Sequence, residues 1–189
     1  MEKANVGRMI YTFVINVMLN IHLERKKMIV NNTTKPRPRY ETDQNRNNEQ
    51  TIVDYIKSHL GKGIDISQNL GYKYIIDRAI LENGIVKGWV EIKYPNYDLN
   101  IATLPSFFIS LKKIKSGLEL SNKSRSPFFI VARFTKQFLF TEITNYCLKD
   151  YGIKWGGRTH TIRDKWDREL MFHIPVGEFH SIKYLKDRL

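Results

Sequence analysis

The sequence predicts an α/β domain, a central mixed β-sheet flanked by helices in the order α-β-β-α-β-β. Three observations lead there. Ile52, Val53, Ile56 and Leu60 recur at the three-and-four spacing of one buried helix face. Asn83-Gly84, a strong hairpin signal, separates two runs rich in β-formers. Phe128–Phe134, apolar throughout except for Arg133, is a run of the kind found in a strand buried on both faces.

Each element has its own signal. Residues 31–39 carry Pro36 and Pro38 among polar residues and read as a linker or extended arm, so residues 1–40 form an N-terminal extension. Thr42 has the chemistry of an N-cap and Asp43 suits a first turn, which starts a helix at about Asp43. Gly61 and Gly63 stop it after Leu60. Glu49 precedes Ile52 and Val53 by three and four positions and shares their face, whereas Asp54 points elsewhere. Tyr72–Leu81 and Ile85–Tyr94 form the hairpin, and Pro95 ends it. A second helix is expected from about Pro105, suited to a first turn, to Leu120. Phe128–Phe134 and Gln137–Ile143 form an antiparallel pair, residues 145–170 read as irregular, and Leu170–Ile174 is a last short strand. The domain is bounded at 41–180, and residues 181–189 form a basic tail.

The formal net charge is +12. Residues 1–40 hold eight Lys or Arg against two acids, residues 41–104 seven against nine, and residues 105–189 sixteen against eight. An acidic middle between basic flanks suits a cation-binding centre beside a surface that attracts polyanions. The single Cys147 excludes an internal disulfide and a zinc-ligand pattern and fits a reducing compartment; it reads as a small buried hydrophobe. Met9–Leu23, the best apolar run, is short and broken by Thr12, Asn16, Asn20 and His22, whereas a bilayer span needs about 20 mostly apolar residues. No membrane partner is expected, and the protein is placed in the cytoplasm.

The chemistry concentrates on the hairpin. Strand alternation puts Trp89, Glu91 and Lys93 on one face and Val90 and Ile92 on the other. A carboxylate and an ammonium two residues apart therefore face one cavity, as a cation-and-lysine site requires. Whether Asp77 joins them depends on register. A plain two-residue turn sets Asp77 opposite Val90 and away from Glu91. A three-residue turn, Glu82–Gly84, sets it opposite Trp89 and diagonal to Glu91, about 7–8 Å away at the backbone. Joining the two carboxylates thus requires an odd-length turn or a bulge.

The fragments Tyr-Lys-Tyr-Ile-Ile-Asp (72–77) and Gly-Trp-Val-Glu-Ile-Lys (88–93) resemble the core of the PD-(D/E)XK nuclease superfamily, and Gly156-Gly157-Arg158-Thr159 and His173-Ile174-Pro175 resemble its small phage-encoded members. The resemblance covers roughly residues 41–179 by order of elements; Ile76 stands where proline often precedes the aspartate. It implies a restriction-endonuclease-like core and metal-dependent phosphodiester hydrolysis with Mg²⁺ or Mn²⁺. Asp77 and Glu91 would hold the metal with the Ile92 backbone carbonyl. Lys93 would orient the attacking water, and Glu49 would bind a second metal or a metal-bound water.

Lys113 is expected to touch phosphate from the second helix, with Lys112, Arg133 and Arg158 as further nucleic-acid contacts. Lys112 and Lys113 read equally as the wet edge of a helix, and Arg158 as a solvent loop tip. Trp155 or Trp166 could stack on bases of a single strand; Trp89 reads as core packing, and His160, His173 and His180 as structural. The expected partner is nucleic acid, DNA rather than RNA, cut by a protein that acts as a homodimer or alone, in host-cell cytoplasm if its origin is viral. The competing readings are a non-catalytic nucleic-acid-binding protein on the same scaffold and a basic interaction protein with an acidic partner.

Overall fold

In the computed structural model the described residues are 42–70, 75–99, 104–135, 137–157 and 167–189. The N-terminal extension, the run Met9–Leu23, and Arg158, His160 and Trp166 lie outside them. Helix α1 spans Asp43–Leu60, with the Thr42 side chain accepting from the Asn45 backbone N–H and Gly61 (φ 83°) at its end. Its bounds and its buried face of Ile52, Val53, Ile56 and Leu60 match the sequence reading.

The strands β1 (Ile64–Ile66), β2 (Arg78–Glu82), β3 (Ile85–Lys93), β5 (Phe128–Arg133), β6 (Phe138–Ile143) and β9 (His180–Ser181) form a six-stranded sheet in the order β1-β2-β3-β5-β6-β9. Only the β3–β5 pair is parallel, so the sheet is mixed as expected. Its crossover runs through β4 (Ser106–Ser110) and helix α2 (Leu111–Ser124). Alternation divides the core. Val90, Ile92, Phe129 and Val131 pack toward α1, while Phe128, Ile130 and Ala132 join Ile114 and Leu118 of α2 in a second cluster.

A second sheet, absent from the sequence reading, covers that other cluster. It has the order β4-β8-β7, with β7 at Gly152–Gly157 and β8 at Arg168–Pro175. The helix expected from Pro105 is therefore a strand first: Ser106–Ser110 alternates Phe107 and Ile109 inward with Phe108 outward and pairs with β8. Residues 145–157, expected to be irregular, contain the short helix α3 (Cys147–Asp150) and β7. Gly157 (φ 116°) lies so close to β8 that a Cβ there would stand 2.0 Å from the Asp167 carbonyl oxygen. Its close approach is thus to the neighbouring strand. The segment after β9 is not a free tail, since Ile182 and Leu185 are buried against the α1 side of the sheet. Among the described residues no helix is long and apolar enough to cross a membrane.

Candidate active site

The β2–β3 hairpin sets the register of the site. Asn83 (φ 51°) and Gly84 (φ 79°) make the two-residue turn with both residues left-handed, and Glu82 pairs with Ile85. The register then shifts: Leu81 faces Val86 but Ile80 faces Gly88, which leaves Lys87 as the extra residue of a β-bulge. A bulge is one of the two devices the constellation requires. The ladder ends with Arg78 opposite Val90, and continuing that register puts Asp77 on the Glu91 face. Ile75 (φ 64°) turns the chain just before this point, and Ile76 is buried beside α2.

Asp77, Glu91, Lys93 and Lys113 meet at the C-terminal end of β3. Asp77 Oδ2 accepts from the Ile92 backbone N–H at 2.8 Å. Lys113, in the first turn of α2, donates to Asp77 Oδ1 at 3.3 Å and to Glu91 Oε2 at 2.9 Å. Lys93 Nζ donates to the other Glu91 oxygen. Glu91 is fully buried, whereas the Lys93 side chain is 34% exposed. Burial pushes the Glu91 carboxyl above the usual carboxylate range; the Lys93 ammonium opposes this, Asp77 adds to it, and Lys113 opposes it. For Lys93, burial acts to lower the pKa, but the Glu91, Asp77 and Glu49 carboxylates outweigh it and the ammonium is held above its ordinary value.

Glu49 stands beside this group but is engaged otherwise. Arg78 grips its Oε1 through Nε at 2.8 Å and Nη2 at 2.6 Å, and donates from Nη1 to the Ser67 carbonyl at 2.9 Å. Arg78 was missed in the sequence. Its signal is that it follows Asp77 directly, so the pleat sends it to the opposite face, toward the helix that carries Glu49. Lys112 is exposed on α2. Arg133 does not join the carboxylates: Lys93 pairs with Ala132, so Arg133 is one residue further along β5 and points to the other face. Trp89 packs beside the α2 cluster and donates from Nε1 to Ser124 Oγ at 2.8 Å. His173 Nδ1 lies 3.1 Å from Ser106 Oγ, in the second sheet and away from the carboxylates.

The donor set fits a hard divalent cation. Asp77 and Glu91 already converge on one positive centre, the Lys113 ammonium. Among the described residues no three His, Cys, Asp or Glu side chains cluster closely enough to form a metal cage. Two carboxylates suffice for an ion of the Mg²⁺ type, which keeps several waters and takes substrate phosphate as a ligand.

A family model described as "Phage putative PDDEXK endonuclease" matches residues 35–182. The chain belongs to this family. Its fold is similar to that of Hjc, a Holliday junction resolvase from the hyperthermophilic archaeon Archaeoglobus fulgidus, with a TM-score of 0.51 at 10% identity, covering 78% of this chain and 98% of that one. No curated protein sequence matches the chain. The phage PDDEXK endonuclease family thus has here a restriction-endonuclease-like core with its acidic and basic groups gathered at one end of β3.

Proposed function

We propose that the chain is a Mg²⁺- or Mn²⁺-dependent DNA endonuclease. The observation that carries this reading is the convergence of Asp77, Glu91, Lys93 and Lys113 at the end of β3, in a member of an endonuclease family. Asp77 and Glu91, with the Ile92 carbonyl, are the groups that hold the cation. When bound, the cation supplies an activated water and offsets charge on the scissile phosphate. Lys93, anchored on Glu91, orients the water and donates to a phosphate oxygen as negative charge grows on it. Lys113, which donates to both carboxylates, would offer its ammonium to the phosphate where a cation takes its place on them. Glu49, held by Arg78, orders water beside Lys93.

Lys112 and, on sequence grounds, Arg158 contribute phosphate contacts. DNA is the substrate we favour, because the basic flanks give the chain a polyanion-attracting surface. Two copies acting as a homodimer would cut both strands, in the cytoplasm.

The test is cleavage of single-stranded, duplex and branched DNA with Mg²⁺ or Mn²⁺. The expected result is metal-dependent cutting that falls at least ~100-fold in both Asp77→Asn and Lys93→Met. Absence of cutting on every substrate, with DNA affinity equal in wild type and both variants, would replace this reading with that of a non-catalytic binding protein.

A further inference from the structure

A second basic feature lies at the same end of the sheet and plays no part in the carboxylate cluster. Arg133 ends β5, and its guanidinium carbon lies 5.0 Å from the Tyr94 ring centroid and 5.3 Å from that of Phe138. Phe138 is fixed in turn by Tyr55 of α1, stacked on it at 3.8 Å between centroids and 15° between planes. Tyr55 continues to His59 at 4.4 Å. The result is a row of rings with one guanidinium set into it. Tyr94, 42% exposed, is the next residue after Lys93.

What sets this guanidinium apart is that it lies against two aromatic rings. Arg78 and Arg46 each pair with a carboxylate, whereas among the described residues Arg133 forms no ion pair. Its neighbours are π-faces, which hold a cation without neutralising it and restrict its rotamers. A planar, partly desolvated and already oriented guanidinium loses little entropy on binding, and its geometry matches a phosphate. Register places it at the same end of the strands as the site: Lys93 is level with Ala132, so Arg133 is one residue beyond on the adjacent strand, on the opposite face of the sheet.

We propose that Arg133, clamped by Tyr94 and Phe138, binds a backbone phosphate of the nucleic acid flanking the scissile bond. This rests on the nuclease reading above. Arg133 is a binding residue, not a catalytic one: it positions the strand while Asp77, Glu91 and Lys93 face the reacting phosphate. Tyr94 acts through Arg133 by keeping the guanidinium aimed.

The experiment measures DNA affinity by fluorescence anisotropy in EDTA over a range of salt, and Mn²⁺-dependent cleavage, for wild type, Arg133→Gln, Arg133→Lys and Tyr94→Leu, with thermal melting as the folding control. Arg133→Gln is expected to weaken binding roughly tenfold and to reduce the salt slope by about one unit, the loss of one phosphate contact. KM should rise with kcat nearly unchanged. Arg133→Lys should recover the slope but only part of the affinity, and Tyr94→Leu should fall between. An Arg133→Gln protein that melts as wild type and keeps the wild-type affinity and salt slope would overturn the proposal while leaving the nuclease reading standing. A wild type that neither binds nor cuts DNA would overturn both.

Discussion

At the scale of single residues, the site shows how a buried carboxylate is kept usable. Glu91 has no exposed surface, yet both its oxygens receive an ammonium, one from its own strand and one from α2. The spacing of Glu91 and Lys93 was legible because strand alternation is strict. Asp77 was legible as a residue but its register was not: the bulge at Lys87 sits beside Gly88, an isolated strand glycine of the kind that marks a bulge, a signal the sequence reading did not use. Arg78 escaped notice because its partner, Glu49, lies 29 positions away. His173 supplies a prediction at this scale. Burial, and then the nearby Lys154 charge, hold its pKa below the ordinary histidine value. The unfolded chain therefore binds the proton more readily, and stability falls as the pH drops below about 6.5 through the lowered folded value. Urea midpoints at pH 7.5 and pH 5 should show this decline in wild type and a smaller one in His173→Gln.

At the scale of elements, helix α1 was read to the residue because its cap, stop and apolar spacing all agree. The start of α2 was misplaced because Pro105 is a good opening residue for a helix. Strand β4 won over it because Phe107 and Ile109 bury on the inner face while pairing with β8. The seat of α2 on the sheet turns on Gly117. A Cβ there would meet the Phe128 ring at 2.2–2.4 Å. Alanine is the better helix former by about 1 kcal/mol, so an unconstrained site would gain from it. Here the clash outweighs that gain, and Gly117→Ala should lose about 1–3 kcal/mol in urea unfolding. An unchanged or raised midpoint would show that the helix sits further from β5 than described.

At the scale of the whole molecule, the mixed sheet and its flanking helices were legible from the order of periodic segments. The second sheet was not, because β4 pairs with β8 across a long separation and β7 exposes Ile153 and Trp155, which removes the contrast that marks a strand. The C-terminal segment was misread from its charge: Lys183, Lys186 and Arg188 alternate with Ile182, Leu185 and Leu189, and the apolar set packs on the α1 cluster. Leu185→Ala should therefore cost about 2–5 kcal/mol, while Asp187→Asn, on the exposed side, should stay within about 0.5 kcal/mol. Chemical denaturation of the two variants decides between a structural segment and a dispensable tail.

The acidic centre between basic flanks has meaning only if that centre takes up a cation. The measurement that tests this most directly is equilibrium Mn²⁺ binding, followed by electron paramagnetic resonance, in wild type and in Asp77→Asn. The account predicts saturable binding to the wild type that weakens at least ~10-fold in the variant, since one of two anionic ligands is lost. Equal Mn²⁺ affinity in two folded proteins would contradict it and place the metal, and with it the chemistry, elsewhere.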